Sequence, residues 1–208
     1  MSIRPGRRGR RRPETLLVLA GLFCLGRAGV LSLEAAMFQW RTGAVLRQEL
    51  APRPLAVRPQ PAVAPTAPAP AAREVLGILE IPRVGMSTVV VEGDEAPTLS
   101  VAAGHLPDTP LPWEPGNSAI AGHRDTFFRP LREIEVGDVI ELATRRGRLS
   151  YRVLRLLVVD PDDVWVLAPS SEIDLTLITC YPFTYIGSAP HRFVVQAARQ
   201  ATPSASGQ

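Results

Sequence analysis

Hydrophobic positions divide the 208-residue chain into three stretches of different rhythm. The first is nearly continuous. Thr15–Gly26 (TLLVLAGLFCLG) carries no charge, and beyond Arg27 a second apolar run reaches Trp40. A span through Ala28–Leu33 and on toward Phe38 approaches the ~20 residues a helix needs to cross a bilayer, with Arg27 snorkelling or paired. An apolar core behind a basic flank also fits a signal peptide. However, no small-x-small cleavage site follows it, and Phe23 precedes Cys24 where a lipoprotein site requires a small residue. The pattern predicts an uncleaved signal-anchor over residues 14–40.

The second stretch has no period. Residues 51–72 hold seven prolines among many alanines. That composition builds no packed core and favours extended, polyproline-like chain. Residues 41–72 read as a semi-stiff linker between anchor and domain.

The third stretch, residues 73–200, is a run of short β-branched segments. They recur at Val75–Ile81, Ser87–Val91, Ser118–Ala121, Val139–Leu142, Leu149–Val159, Val164–Leu167, Leu175–Cys180 and Phe193–Ala197. Turn signals separate them, among them Gly93-Asp94, Glu114-Pro115-Gly116-Asn117, Gly137-Asp138 and Asp160-Pro161-Asp162. Eight such runs predict a mainly β domain, an antiparallel barrel that is closed or nearly so. Helices are predicted to be brief: Glu95–Ala103, with Asp94 as N-cap, and Thr126–Ile134. Residues 201–208 read as a flexible C-terminal tail.

Charge changes the picture at one end only. Residues 1–72 carry 11 arginines against three acids, residues 73–208 carry 12 against 17, and there is no lysine. Six of the arginines lie between Arg4 and Arg12. A basic tail over residues 1–13, next to an apolar run, places that end in the cytoplasm and the domain outside. Because the excess stops there, the basic balance does not indicate a nucleic-acid partner.

The cysteines bring in chemistry. Cys24 lies in the anchor and Cys180 in the domain, so no intrachain disulfide is expected. A lone thiol in an exported domain needs a reason, since such cysteines are usually paired. Cys180 ends an apolar run where strand gives way to loop, a common place to display a reactive group. The aromatic segment Tyr181–Gly187 that follows suits a peptide groove.

A thiol nucleophile needs a proton partner and an oxyanion stabiliser. The three histidines are His105, His123 and His191. His123 follows an apolar strand, while His191 adjoins Arg192 at the start of the last strand. Successive strand side chains point to opposite faces, so one of that pair faces any shared site. If Arg192 does, its cationic fork can hold a carbonyl or oxyanion, and the histidine comes from elsewhere. Spacing leaves His123 and His191 both open. No ligand pair has the close spacing of a zinc site, and Asp160, Asp162 and Asp163 read as a solvated turn. Neither a metal nor a cofactor is expected.

These segments resemble the sortase family. Thr176-Leu177-Ile178-Thr179-Cys180 is similar to its TLxTC signature, and Asn117-Ser118-Ala119-Ile120-Ala121-Gly122-His123 to the segment that delivers its histidine. Arg192, in Ala189–Val195, falls where the family's arginine does. Gly122–Phe128 and Cys180-Tyr181-Pro182-Phe183 resemble the class D branch, and the likeness runs from about Gly77 to Ala198.

The resemblance implies an eight-stranded sortase-type β-barrel and a cysteine transpeptidase of the hydrolase class. Such an enzyme cleaves an LPxTG-like sorting signal between Thr and Gly. On this analogy Cys180 attacks, His123 protonates the leaving amine, and Arg192 holds substrate and oxyanion. Thr179 and Tyr181 are expected to contribute substrate or oxyanion contacts. Protein substrates bearing a C-terminal sorting signal and an amine acceptor, a cell-wall precursor or pilin lysine, are the implied partners. Hydrolysis alone, as a cysteine protease, uses the same residues, and a non-catalytic peptide-binding barrel is the third alternative. His105 is expected to have a structural or groove role, and Arg124 and Asp125 to pair with each other or with nearby groups. The loop holding Asp108 and Trp113 departs from the class D pattern and is expected to help shape the groove.

Overall fold

A computed structural model describes residues 13–50, 70–169, 171 and 175–200. The arginine cluster up to residue 12, the Pro/Ala-rich residues 51–69 and the C-terminal residues from 201 lie outside the described part.

Eight strands form a closed barrel: β1 (Val75–Ile81), β2 (Met86–Glu92), β3 (Ala103–His105), β4 (Ser118–Ala121), β5 (Val139–Thr144), β6 (Gly147–Val159), β7 (Leu175–Tyr181) and β8 (His191–Arg199). Their order around the barrel is β1-β2-β3-β4-β7-β8-β6-β5. Alternating apolar residues fill the interior, including Leu79, Ile81, Ile120, Ile140, Leu142, Leu175, Leu177 and Val195, with Phe128 and Leu131 among them. Closure leaves no free sheet edge to template association.

The structure corrects the sequence reading in four places. Val164–Leu167 is a 3-10 turn, not a strand. The preceding turn is set by Asp163, whose Oδ2 accepts the Asp160 N–H at 2.9 Å, and the Val166 and Ala168 carbonyls accept from the Asn117 side chain. The predicted helix Glu95–Ala103 shrinks to α2 (Ala96–Leu99), capped at Glu95 rather than Asp94, and its last residue opens β3. β3 escapes the strand pattern because it is only Ala-Gly-His; a Cβ on Gly104 would lie 2.2 Å from the Gly93 carbonyl oxygen. Thr126–Ile134 contains only a 3-10 turn at Arg129–Glu133. Finally, the barrel is mixed: β2–β3 and β4–β7 are parallel pairs.

One helix, α1 (Pro13–Leu50), precedes the barrel and continues ten residues past Trp40. At 1.5 Å per residue it is roughly 57 Å long, and it is apolar enough over Leu17–Leu50 to be a candidate membrane span. Its second half docks on the barrel. Phe38 packs against Val89, Val91 and Ala102, and Leu46 is buried. The Gln39 amide accepts from the Val89 N–H and donates to the Val101 carbonyl, each at 2.8 Å. Arg47 donates to Ser87 Oγ at 2.9 Å and Glu49 accepts from Arg145 Nε at 3.4 Å, so the helix crosses β2 and ends by the β5–β6 turn.

At that turn Arg83 closes the end of the barrel. Its guanidinium donates to both carboxylate oxygens of Asp138 and to the Glu133 carbonyl, and Asp138 Oδ2 also accepts from the Glu135 N–H at 2.8 Å. The Arg83 hydrogen bond, followed by that backbone N–H, holds the Asp138 carboxyl below its ordinary pKa against the opposing effect of burial. A depressed carboxyl stabilises the fold above the unfolded-state value of about 3.9, and the contribution fades as pH falls through the lower folded value. We therefore expect Asp138→Asn to lower the melting temperature at pH 7. The gap to the unsubstituted protein should narrow as pH falls through the lowered folded-state value, where its own carboxyl protonates; thermal melts across the acid range measure this.

Candidate active site

β7 displays the thiol. Leu175 and Leu177 point into the main core, while Ile178 packs on a separate outer cluster with Val159, Val166 and Val194. Strand alternation gives Cys180 the outer face shared with Ile178. The cysteine is free and half-buried.

β8 lies antiparallel on one side of β7, with Cys180 directly opposite Arg192 and Tyr181 opposite His191. Opposed residues share a face, with Cβ atoms about 4.5–5.5 Å apart. Arg192 therefore sits beside Cys180 on the outer face. Its Nη1 donates to the His191 and Ala189 carbonyls at 3.2 and 3.4 Å, and among the described residues no carboxylate pairs with it. His191 takes the other face and meets Asp160 Oδ1 at 3.0 Å.

β4 lies parallel on the other side. Ala121 stands opposite Ile178, and the Gly122 N–H continues the ladder to the Ile178 carbonyl at 3.1 Å. Two residues beyond those partners come His123 and Cys180, of matching parity on chains spaced about 4.8 Å apart. His123 is exposed. The structure thus sets Cys180 and Arg192 side by side, with His123 two residues past the end of the neighbouring β4, and leaves His191 on the other face.

The side chains of Thr179 and Tyr181 make structural contacts. Thr179 is buried, and its hydroxyl donates to the Gly122 carbonyl at 2.7 Å, tying β7 to the histidine segment. The Tyr181 ring stacks on Phe193 (6.2 Å, 26°) and meets Phe183 edge-on (6.0 Å, 88°). Both side chains turn from the thiol because odd positions of β7 face inward. His105 is buried, with Nδ1 2.9 Å from Glu92 Oε2 and Nε2 3.1 Å from the Pro110 carbonyl, which secures the β3–β4 loop.

The loop with Trp113 is likewise remote from the thiol. Arg146, in the turn before β6, lies over the Trp113 ring at 4.7 Å, whereas Arg192, opposite Cys180, pairs with Val159 at the far end of the thirteen-residue β6. The Trp113 ring therefore lies toward the end of β6 opposite the thiol.

Sequence reading passed over a buried polar network that holds the β6–β7 loop on the outer face. Thr176 Oγ1 donates to Asn117 Oδ1 at 2.7 Å. Asn117 Nδ2 and Gln196 Nε2 donate to the Val166 carbonyl at 3.1 and 3.3 Å. The signal was present as polar residues at the outward positions of otherwise apolar strands. Among the described residues, no group of three or more His, Cys, Asp or Glu side chains is arranged to hold a metal ion.

The family model for the sortase domain matches residues 79–200. Sortase D of Bacillus subtilis is 38% identical over 131 residues, which cover 62% of this chain and 66% of that protein. Sequence-matched curated relatives are thus spanned over about half to two thirds of their length. Solved structures are similar as well, two of them as follows. A sortase D5 transpeptidase from Clostridium perfringens gives a TM-score of 0.56 at 28% identity, over 62% of this chain and 80% of that one. Sortase A from Corynebacterium diphtheriae gives 0.59 at 31%, over 65% of each.

Gly122 is the tightest point in this arrangement. A Cβ there would lie 2.8 Å from ring carbons of the fully buried Phe128. We expect Gly122→Ala to cost about 1–3 kcal/mol through overpacking, measured by urea unfolding.

Proposed function

The chain belongs to the sortase family, and on that premise we propose that it is a membrane-anchored transpeptidase using Cys180, His123 and Arg192 on LPxTG-like sorting signals. The observation that supports this reading is the register of β4, β7 and β8: Cys180 pairs with Arg192, and His123 follows two residues after the Ala121–Ile178 pair.

In the proposed reaction Cys180 Sγ, as thiolate, attacks the threonine carbonyl carbon of the sorting signal. The Arg192 guanidinium steadies the developing oxyanion, a donor aimed at charge that appears only in the transition state. The C–N bond to glycine then breaks, and protonated His123 gives its proton to the departing amine. A thioester remains on Cys180 and keeps enough energy for aminolysis. An incoming amine, of a cell-wall precursor or a pilin lysine, loses its proton to neutral His123 and attacks the thioester carbon. The new amide forms as the carbon–sulfur bond breaks. Water in place of the amine gives hydrolysis. Exposed apolar side chains near the thiol, Val164 and Trp165 on one loop and Tyr185 and Ile186 on another, support a peptide as the ligand.

The same proposal covers topology. With α1 in the bilayer and the N-terminal arginines in the cytoplasm, the barrel stands outside. An N-terminal tag should resist external protease in intact cells while a C-terminal tag is lost; the reverse pattern would sink this orientation.

The activity is tested with LPxTG-like peptides, with and without an added amine, and products read by mass spectrometry. We expect an amine-dependent ligation product. Cys180→Ala should abolish turnover in a folded domain. Arg192→Ala should slow it on the order of 10²–10³-fold, as for loss of an oxyanion donor, and His191→Ala should change it little. Turnover by Cys180→Ala, or greater loss at His191 than at Arg192, would overturn the assignment.

A further inference from the structure

His123 has to face Cys180, yet among the described residues its imidazole has no hydrogen-bond partner to orient it. What fixes it is the main chain on either side. Gly122, before it, is fastened to the residues that precede Cys180: its N–H donates to the Ile178 carbonyl at 3.1 Å and its carbonyl accepts from Thr179 at 2.7 Å. Arg124, after it, is fastened to the residues that follow Cys180. One guanidinium nitrogen, Nη2, donates to the Tyr185 carbonyl at 2.7 Å and to the Gly187 carbonyl at 2.9 Å. The guanidinium carbon lies 5.9 Å from the centre of the Tyr185 ring, within cation–π range. Nη1 is buried and makes no hydrogen bond, so the group is held by loop carbonyls and an aromatic face, not by solvent.

Sequence alone suggested a pairing of Arg124 with Asp125 or nearby groups. The observed partners are main-chain carbonyls of the β7–β8 loop more than 60 residues away. Without this tie the loop is sparsely held. Tyr185 and Ile186 are exposed, Ile186 at 96%, and within the loop the Tyr185 N–H to Pro182 carbonyl bond is a local turn contact.

We propose that Arg124 is a positioning residue: it clamps the β7–β8 loop to the turn bearing His123, and so sets both the His123–Cys180 geometry and the loop wall beside the thiol. The proposal rests on the catalytic reading of Cys180 and His123, and it adds a residue that touches neither the scissile bond nor the thiol. Lysine replaces it only in part, because its ammonium ends one bond short of the Nη2 that donates to both carbonyls.

The test compares Arg124→Ala and Arg124→Lys with the unsubstituted full chain in detergent. For peptide turnover we expect kcat to fall on the order of 10²-fold, the scale of a displaced catalytic group, with KM changing far less. Lysine should restore only a minor part, and thermal melting should stay close to that of the unsubstituted protein. Two readouts do not depend on sorting-signal cleavage. The pH profile of Cys180 alkylation by iodoacetamide should shift in Arg124→Ala, because His123 no longer holds its place beside the thiol. Chymotrypsin should cut after Tyr185 faster in that variant.

A kcat retained in Arg124→Ala, full rescue by lysine, or a loss confined to KM would overturn the clamp. So would unchanged alkylation and proteolysis. If the unsubstituted protein cleaves no peptide, the functional reading falls, and alkylation and proteolysis still decide whether Arg124 holds the loop to the histidine turn.

Discussion

The parallel pairing of β4 with β7 is the contact on which the site depends. Ser118 to Ala121 run beside Leu175 to Ile178, and two further bonds from Gly122 carry the register beyond the strand. Parallel strands need a long crossover, so their pairing joins residues far apart in the chain. Here the intervening chain forms β5 and β6, which close the barrel on the other side through β8. A slip of one residue between β4 and β7 would turn His123 to the wrong face. Two features resist it: Ile120 and Leu177 are paired inside the core with no exposure, and Gly122 leaves no room above Phe128.

Buried polar groups hold the loops that the barrel itself does not. Asn117, Thr176 and Gln196 fasten the β6–β7 loop to the outer wall, and His105 with Glu92 fastens the β3–β4 loop to the inner one. Such groups are costly unless bonded, so each network favours one loop position over many. Arg124 does the same for the β7–β8 loop at an exposed rim. Cys180 lies at the mouth bounded by two of these loops.

The helix before the barrel is part of this frame. Linker composition suggested a domain on a spacer beginning near residue 41, but α1 continues to Leu50 with Gln39 and Leu46 seated on the barrel. Gln39 supplies backbone partners to Val89 and Val101, so removing the helix would leave those groups to water.

Much of this was legible in sequence because it is local. Seven of the eight strands follow from β-branched runs between turn residues, and the long apolar helix from composition alone. Cys180 stood out as an unpaired thiol at a strand end, and alternation put Arg192 and His191 on opposite faces before any partner was known. Face alternation could not choose between His123 and His191, however, since it says nothing of which strand lies beside β7. Resemblance pointed to His123, and the β4–β7 register put it beside the thiol. The short β3 and the Val164–Leu167 turn were misread because tertiary hydrogen bonds, not propensity, decide their backbone. Arg124 was invisible as a clamp for the same reason: its partners are main-chain carbonyls, which leave no mark in side-chain identity. The sequence determined which residues alternate, bury or react; the barrel's long-range pairing decided which of them meet, because register between distant strands is set by closing the core and not by any local pattern.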